Sequence, residues 1–196
     1  MKGLTFSQPM MLAWLEGRKS VTRRLMNPQP EIRNGFVYGL NVGGSEEFFR
    51  REYHHFIKPR YRPGETVYIK ETWAHWFDHN KSGKVFYKAD GQDFTTGEKM
   101  LGWKWRSPRF MPEWASRSHA LILSARPERI QEITEEEADK EGFGGDFPHK
   151  VMPEMFDVDD SGLSIPECFA RLWETLHKRS WTENSWIWRY ELEVRP

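Results

Sequence analysis

The chain has 196 residues, 38% hydrophobic and 30% charged, with 29 basic and 29 acidic side chains. This length favours one domain over residues 1–196, and the charge balance excludes a nucleic-acid binder that relies on net positive charge. Ten Trp and thirteen Phe, each able to bury roughly 150–250 Å², supply a core and exclude a disordered chain.

The charge is segregated along the chain. Residues 17–24, 50–62 and 81–109 hold most of the cations, and residues 128–141 and 154–160 hold many of the anions. A neutral protein so arranged can still offer a cationic groove. Cys168 is the one cysteine, so no internal disulfide forms, which fits a reducing compartment. No apolar run approaches the ~20 residues of a membrane span. Residues 1–19 carry no signal-peptide pattern. The expectation is a cytoplasmic protein with no membrane partner.

Residues 4–6 read as a short strand. Ser7 then offers a helix cap, with Pro9 in the first turn and Met10, Met11, Trp14 and Leu15 at helical spacing. Gly17 ends that helix. The run GRKSVTRR at 17–24 packs four cations and two hydroxyls into eight residues and leads into a strand over 21–26. Alternation puts Thr22 and Arg24 on one face, and Val21, Arg23 and Leu25 on the other. Residues 27–64 are punctuated by Pro and Gly and read as an irregular insertion with a short helix near 46–53. Pro63-Gly64-Glu65 is a turn into a strand over 66–73. There Glu71 shares a parity with Val67, Ile69 and Trp73. A carboxylate on an apolar face is paired, placed at a barrel mouth, part of a site, or at a frayed strand end.

A strand over 85–89 ends in the turn Asp90-Gly91. Residues 103–114 interleave Trp103, Trp105, Phe110 and Trp114 with Lys104, Arg106 and Arg109. Two readings stand: a stacking and phosphate-contact surface, or rings that plug a core while the cations are solvated. Residues 119–125 are an apolar strand. Thr134 with Glu137 forms a capping-box pattern opening a short acidic helix that stops near Gly142. Residues 142–163 read as another loop insertion. Ser164 with Glu167 repeats the capping pattern, and Ile165, Cys168, Phe169, Leu172, Trp173 and Leu176 mark a helix to about His177. Cys168 lies in its buried stripe. The chain ends in a half-buried strand with Trp186, Trp188, Tyr190, Leu192 and Val194 inward, and Arg189, Glu191 and Glu193 outward. About six strands with three helices favour an α+β fold with a mixed or closed sheet.

No phosphate-binding GxxxxGK[ST] or GxGxxG pattern follows a strand, and Gly142-Phe143-Gly144-Gly145 is too generic to count. His75, Asp78 and His79, and the pair His54-His55, do not match a metal-ligand spacing. A serine or cysteine nucleophile lacks its surrounding motif. No cofactor or metal is called for. Lys19, Thr22 and Glu71 remain. A neutral Lys amine can take the proton from a Thr hydroxyl, and a nearby carboxylate opposes that by favouring the ammonium. The trio therefore fits hydrolysis of an amide or acyl group. It equally fits recognition, with Lys19 on a phosphate or carbonyl and Glu71 accepting from an exocyclic base amine.

The run from Gly17 to Arg23, after an amphipathic helix, resembles the GxKxxTxR signature of ASCH domains, members of the PUA-like β-barrel superfamily. Pro63-Gly64-Glu65 followed by Val67, Tyr68, Ile69 and Glu71 resembles the family's later turn and strand. The likeness covers roughly 4–26, 61–90, 119–130 and 165–195, and is especially to phage- and prophage-encoded members. It implies a small mixed β-barrel with flanking helices, and a cleft beside the motif that binds RNA, DNA or a modified nucleoside. One compact branch hydrolyses N4-acetylcytidine with a Lys, a Thr three residues on and a later Glu, positions matched by Lys19, Thr22 and Glu71. Another branch is associated with ribonuclease activity. The present chain departs by its greater length, with insertions near 27–60, 91–118 and 142–163. The expected binding contacts are Arg18, Arg23, Arg24, Trp73, Lys104, Trp105, Arg106 and Arg109. Three functions follow: binding a nucleic acid or nucleoside, amide hydrolysis on a modified cytidine, or docking a protein through aromatic surface.

Overall fold

Leu4, Val67, Ile69, Ala120, Ile122 and Leu192 are all buried, and they lie on strands that a computed structural model of the chain joins into one sheet. The structure describes residues 1–33, 36–38, 57–77, 83–91, 104–143 and 163–195. The sheet takes β1 (Lys2–Thr5), β5 (Thr66–Lys70), β8 (His119–Arg129), β9 (Trp186–Arg195) and β2 (Val21–Leu25), in that order. Only β1 and β5 run parallel, and the other three pairings are antiparallel. The mixed sheet and the α+β class agree with expectation. Closure does not follow: among the described residues no ladder joins the edge strands β1 and β2, so no closed barrel is formed. Instead the Arg24 guanidinium donates to the Thr5 carbonyl at 2.5 Å, a side-chain bridge between the two edges.

The strand expected over 66–73 breaks after Lys70. Phe6 N–H bonds the Lys70 carbonyl, and Glu71 N–H turns to the Met111 sulfur at 3.3 Å. The chain restarts as β6 (Trp73–Phe77), which forms a hairpin with β7 (Gly83–Tyr87). A further hairpin, β3 (Glu31–Arg33) with β4 (Phe36–Tyr38), lies in the stretch expected to be irregular. The helix expected near 46–53 and much of the loop expected over 142–163 lie outside the described residues. So do His54, His55, Asp78, His79 and Trp103.

Helix α1 (Gln8–Leu15) buries Met10, Met11, Ala13 and Trp14, while Leu15 stays exposed. It ends in a Schellman motif: Gly17 N–H bonds Trp14 O and Arg18 N–H bonds Ala13 O. This geometry needs the left-handed φ of +74° at Gly17. Helix α2 (Glu135–Ala138) is capped by Thr134 Oγ1, which accepts from Glu137 N–H. The reciprocal half of the expected capping box is missing, because the Glu137 carboxylate is used elsewhere. The chain then passes through a wide turn, Asp139–Phe143, onto the end of α1. Helix α3 (Ile165–His177) buries Cys168, Phe169, Leu172 and Trp173. Glu167 accepts from both the N–H and the hydroxyl of Ser164, a cap worth about 1 kcal/mol.

Gly142 holds φ at +100°, and a Cβ there would sit 2.6 Å from the Ala13 Cβ. Gly142→Ala meets both a disfavoured backbone region and a buried neighbour. The expected result is a loss of roughly 2 kcal/mol or more, read as a lower melting temperature. An unchanged melt would show that the turn does not hold α1.

Candidate nucleotide-binding site

The four cations of the 17–24 run reach different ends. Arg18 bonds Glu16 and the Gly142 carbonyl. The Lys19 ammonium is buried and donates to the Val21 carbonyl at 2.8 Å, the Glu141 carbonyl at 2.9 Å and the Glu141 carboxylate at 2.6 Å. Arg23 is buried and contacts Glu128 at 2.8 Å, Glu137 at 2.9 Å and Glu141 at 3.3 Å. Arg24 is half-buried and, among the described residues, bonds only the Thr5 backbone carbonyl. Two of the four cations, Lys19 and Arg23, are therefore neutralised from inside by the acidic segment 128–141, so the run does not form one continuous cationic face.

The register explains the demand for carboxylates. Arg23 on β2 stands opposite Arg189 on β9, which stands opposite Arg126 on β8. Like charges directly across a sheet repel. Glu137 from α2 takes both Arg23 and Arg189, and Glu128 takes both Arg23 and Arg126. The two guanidiniums hold the Glu137 carboxyl at about 2, with the Arg189 hydrogen bond the largest cause. Arg189, expected on the solvent face of the last strand, is buried by this arrangement.

Beside the network lies a cavity of about 250 Å³. One wall is apolar: Phe6, Met10, Phe143, Phe169, Leu172 and Trp173. The other is polar: Lys19, Thr22, Arg23, Arg24 and Glu141. Leu176 and His177 also line it. The Lys19 ammonium lies 5.3 Å from the Phe6 ring centre. Burial pushes the Lys19 pKa down and Glu141 opposes that shift. Three acceptors around Nζ match the three donors of an ammonium, which has no lone pair with which to deprotonate Thr22. The His177 ring packs 4.0 Å from Trp173. Burial, then Arg24 and Arg179, lower its pKa, which favours the neutral ring with one donor and one acceptor.

A second, larger groove of about 730 Å³ shares Thr5 and Arg24 with the cavity. Arg109 lines it, as do Lys58, Arg60 and Lys70, which the sequence reading had not singled out.

Glu71 is buried, but it lies one residue past the end of β5, where strand parity no longer applies. Its carboxylate is held by Arg117, at 2.8 and 3.0 Å, and Arg117 also binds Asp90. Burial raises the Glu71 pKa and Arg117 opposes it. Glu71 is absent from the cavity lining, and the carboxylate that meets Lys19 is Glu141. The structure thus brings Lys19 and Thr22 together without Glu71. Trp73 packs in a small cluster with Met111 and Ala115, and Arg106 stacks over it at 5.2 Å. Lys104 is exposed and Trp105 half-buried, and neither lines the cavity or the groove. Phe110 and Trp114 do not plug a core: they are 72% and 64% exposed.

Among the described residues, no group of three His, Cys, Asp or Glu is arranged to hold a metal ion, and no helix is long and apolar enough to cross a membrane. No protein-family model matches the chain, and no curated protein or solved structure does either. The site residues missed in the sequence are mainly Glu141, Phe143 and the α3 face at Leu172, Trp173 and His177. The helical stripe of α3 was legible, but a stripe does not reveal that one end of it borders a cavity.

The Glu137 pKa drops from 4.5 to about 2, which corresponds to about 3 kcal/mol of stability. A depressed carboxyl contributes fully above its ordinary pKa and loses that contribution as pH falls through the folded value. Urea unfolding of Glu137→Gln is expected to show a deficit of about 3 kcal/mol at pH 7. That deficit should narrow steadily from pH 5 toward pH 2. A deficit independent of pH would assign Glu137 to packing alone.

Proposed function

We propose that this chain binds a nucleic acid or nucleoside, with the base in the cavity beside Lys19, Thr22 and Arg24. One observation carries the reading: a cavity of about 250 Å³ has an aromatic and aliphatic wall facing a polar one. A base has apolar faces that stack on rings and a polar edge that hydrogen-bonds. The neutral His177 and the Thr22 hydroxyl give such an edge uncharged partners, and Arg24 gives it a cation. The ASCH resemblance of residues 17–23 and 63–71 supports the same reading.

Calorimetric titration of a nucleoside panel tests this. Leu176 lines the cavity yet is 57% exposed, so Leu176→Glu adds a carboxylate at the mouth at little cost to the fold. Nucleoside binding is expected to weaken about ten-fold or more with an unchanged melting temperature. Equal affinity in the variant would remove the cavity from the binding site.

A second reading is amide hydrolysis on a modified cytidine. It is favoured by Lys19 and Thr22 sharing one cavity, while the filled hydrogen bonds of the Lys19 ammonium weigh against it. The expected outcome is no release of cytidine from N-acylated cytidines. Turnover that Thr22→Val abolishes while the melting temperature holds would establish the hydrolase instead.

A further inference from the structure

Among the described residues, the larger groove is lined by Arg24, Lys58, Arg60, Lys70 and Arg109, and by no carboxylate. This contrasts with the network next to it, where every buried cation meets a glutamate. Among the described residues none of the five forms an ion pair. Lys70 donates to the Arg109 carbonyl and Arg24 to the Thr5 carbonyl. Uncompensated like charge around one space is costly without an anion to share. Burial, and then Arg60, lower the Lys70 pKa, a sign of that cost.

The groove and the cavity meet at two places. Thr5 and Arg24 line both. The turn Pro108–Phe110 joins them a second time: Pro108 lines the cavity, Arg109 lines the groove and Phe110 projects into solvent. Three successive residues thus offer a wall for one base, a cation for a phosphate and a ring for another base. A free nucleoside leaves the five cations unmatched. A duplex keeps its bases stacked and out of reach of the cavity.

Resting on the reading above, we infer that the ligand is a single-stranded nucleic acid. One base occupies the cavity, the phosphodiester chain follows Arg24, Lys58, Arg60, Lys70 and Arg109, and a neighbouring base stacks on Phe110.

The test compares a labelled eight-nucleotide RNA, the DNA of the same sequence, and the matching nucleoside. Each is titrated against the wild type, Lys58→Ala/Arg60→Ala, Phe110→Ala and Leu176→Glu. Lys58, Arg60 and Phe110 are exposed, so melting temperatures should hold. The strand is expected to bind at least about ten-fold tighter than the nucleoside. The double variant should weaken the strand about ten-fold and reduce the slope of log affinity against log salt by about 1.4, while leaving the nucleoside unaffected. Phe110→Ala should weaken the strand by about five- to hundred-fold. The tighter of the RNA and DNA arms identifies the strand's sugar.

Equal affinity for strand and nucleoside overturns this inference and leaves the cavity reading standing. So does an unchanged affinity and salt slope in the double variant when the nucleoside still binds. Strand binding that the double variant weakens and Leu176→Glu leaves alone overturns the cavity reading and keeps the phosphate groove. Absence of binding by every probe overturns both.

Discussion

Arg23, Arg189 and Arg126 form a row across three neighbouring strands, and the architecture around the cavity depends on how that row is neutralised. A sheet face bearing guanidiniums at adjacent positions cannot be covered by an apolar helix, since each buried charge needs a partner. It is covered by an acidic segment instead. Glu128, Glu137 and Glu141 supply three carboxylates, and Lys19, Arg23 and Arg189 are the three buried cations they meet. Removing one member strands another, so the network fixes where α2 docks more sharply than apolar packing would.

That docking builds the cavity. Glu141 can reach Lys19 only because the turn Asp139–Phe143 runs against the end of α1, with Gly142 over Ala13. The same turn presents Phe143 to Phe169 at 5.4 Å, which joins α3 to the cavity wall. Charge pairing on one side of the turn and aromatic packing on the other therefore set the polar and apolar walls together. Lys19 has a structural task in this arrangement, whatever it does for a ligand.

Much of the frame was legible in the sequence. Five of the six strands read from alternation and turn residues make up the sheet, and α1 and α3 follow their apolar spacing; α3 also has its expected Ser164–Glu167 cap, whereas the Ser7 side chain makes no cap hydrogen bond on α1. Less legible was the partnership of charges. The acidic and basic segments are distant in sequence, and nothing in either shows that one is folded against the other. Glu71 illustrates the limit: it is buried just past the end of β5, held by Arg117 from a loop whose position no periodicity encodes. Glu137 illustrates another. The Thr134 and Glu137 spacing did start a helix, but the carboxylate was worth more to two arginines than to the cap. The β3–β4 hairpin stayed hidden because its strands are three residues each, too short for alternation to register.

Arg24 separates the two roles of the basic run. It follows Arg23 on β2 and borders the same cavity as Glu141, but among the described residues it makes no ion pair and reaches toward the gap between the sheet edges. There it bonds Thr5 and borders both the cavity and the groove. Cations that pair internally contribute to stability and are lost to a ligand. A cation bound only to a carbonyl keeps most of its field for an incoming anion. The fold thus places its compensated charge deep and its uncompensated charge at the rim. Substitutions at the rim should change what the protein holds without changing whether it folds, and substitutions in the network should do the reverse.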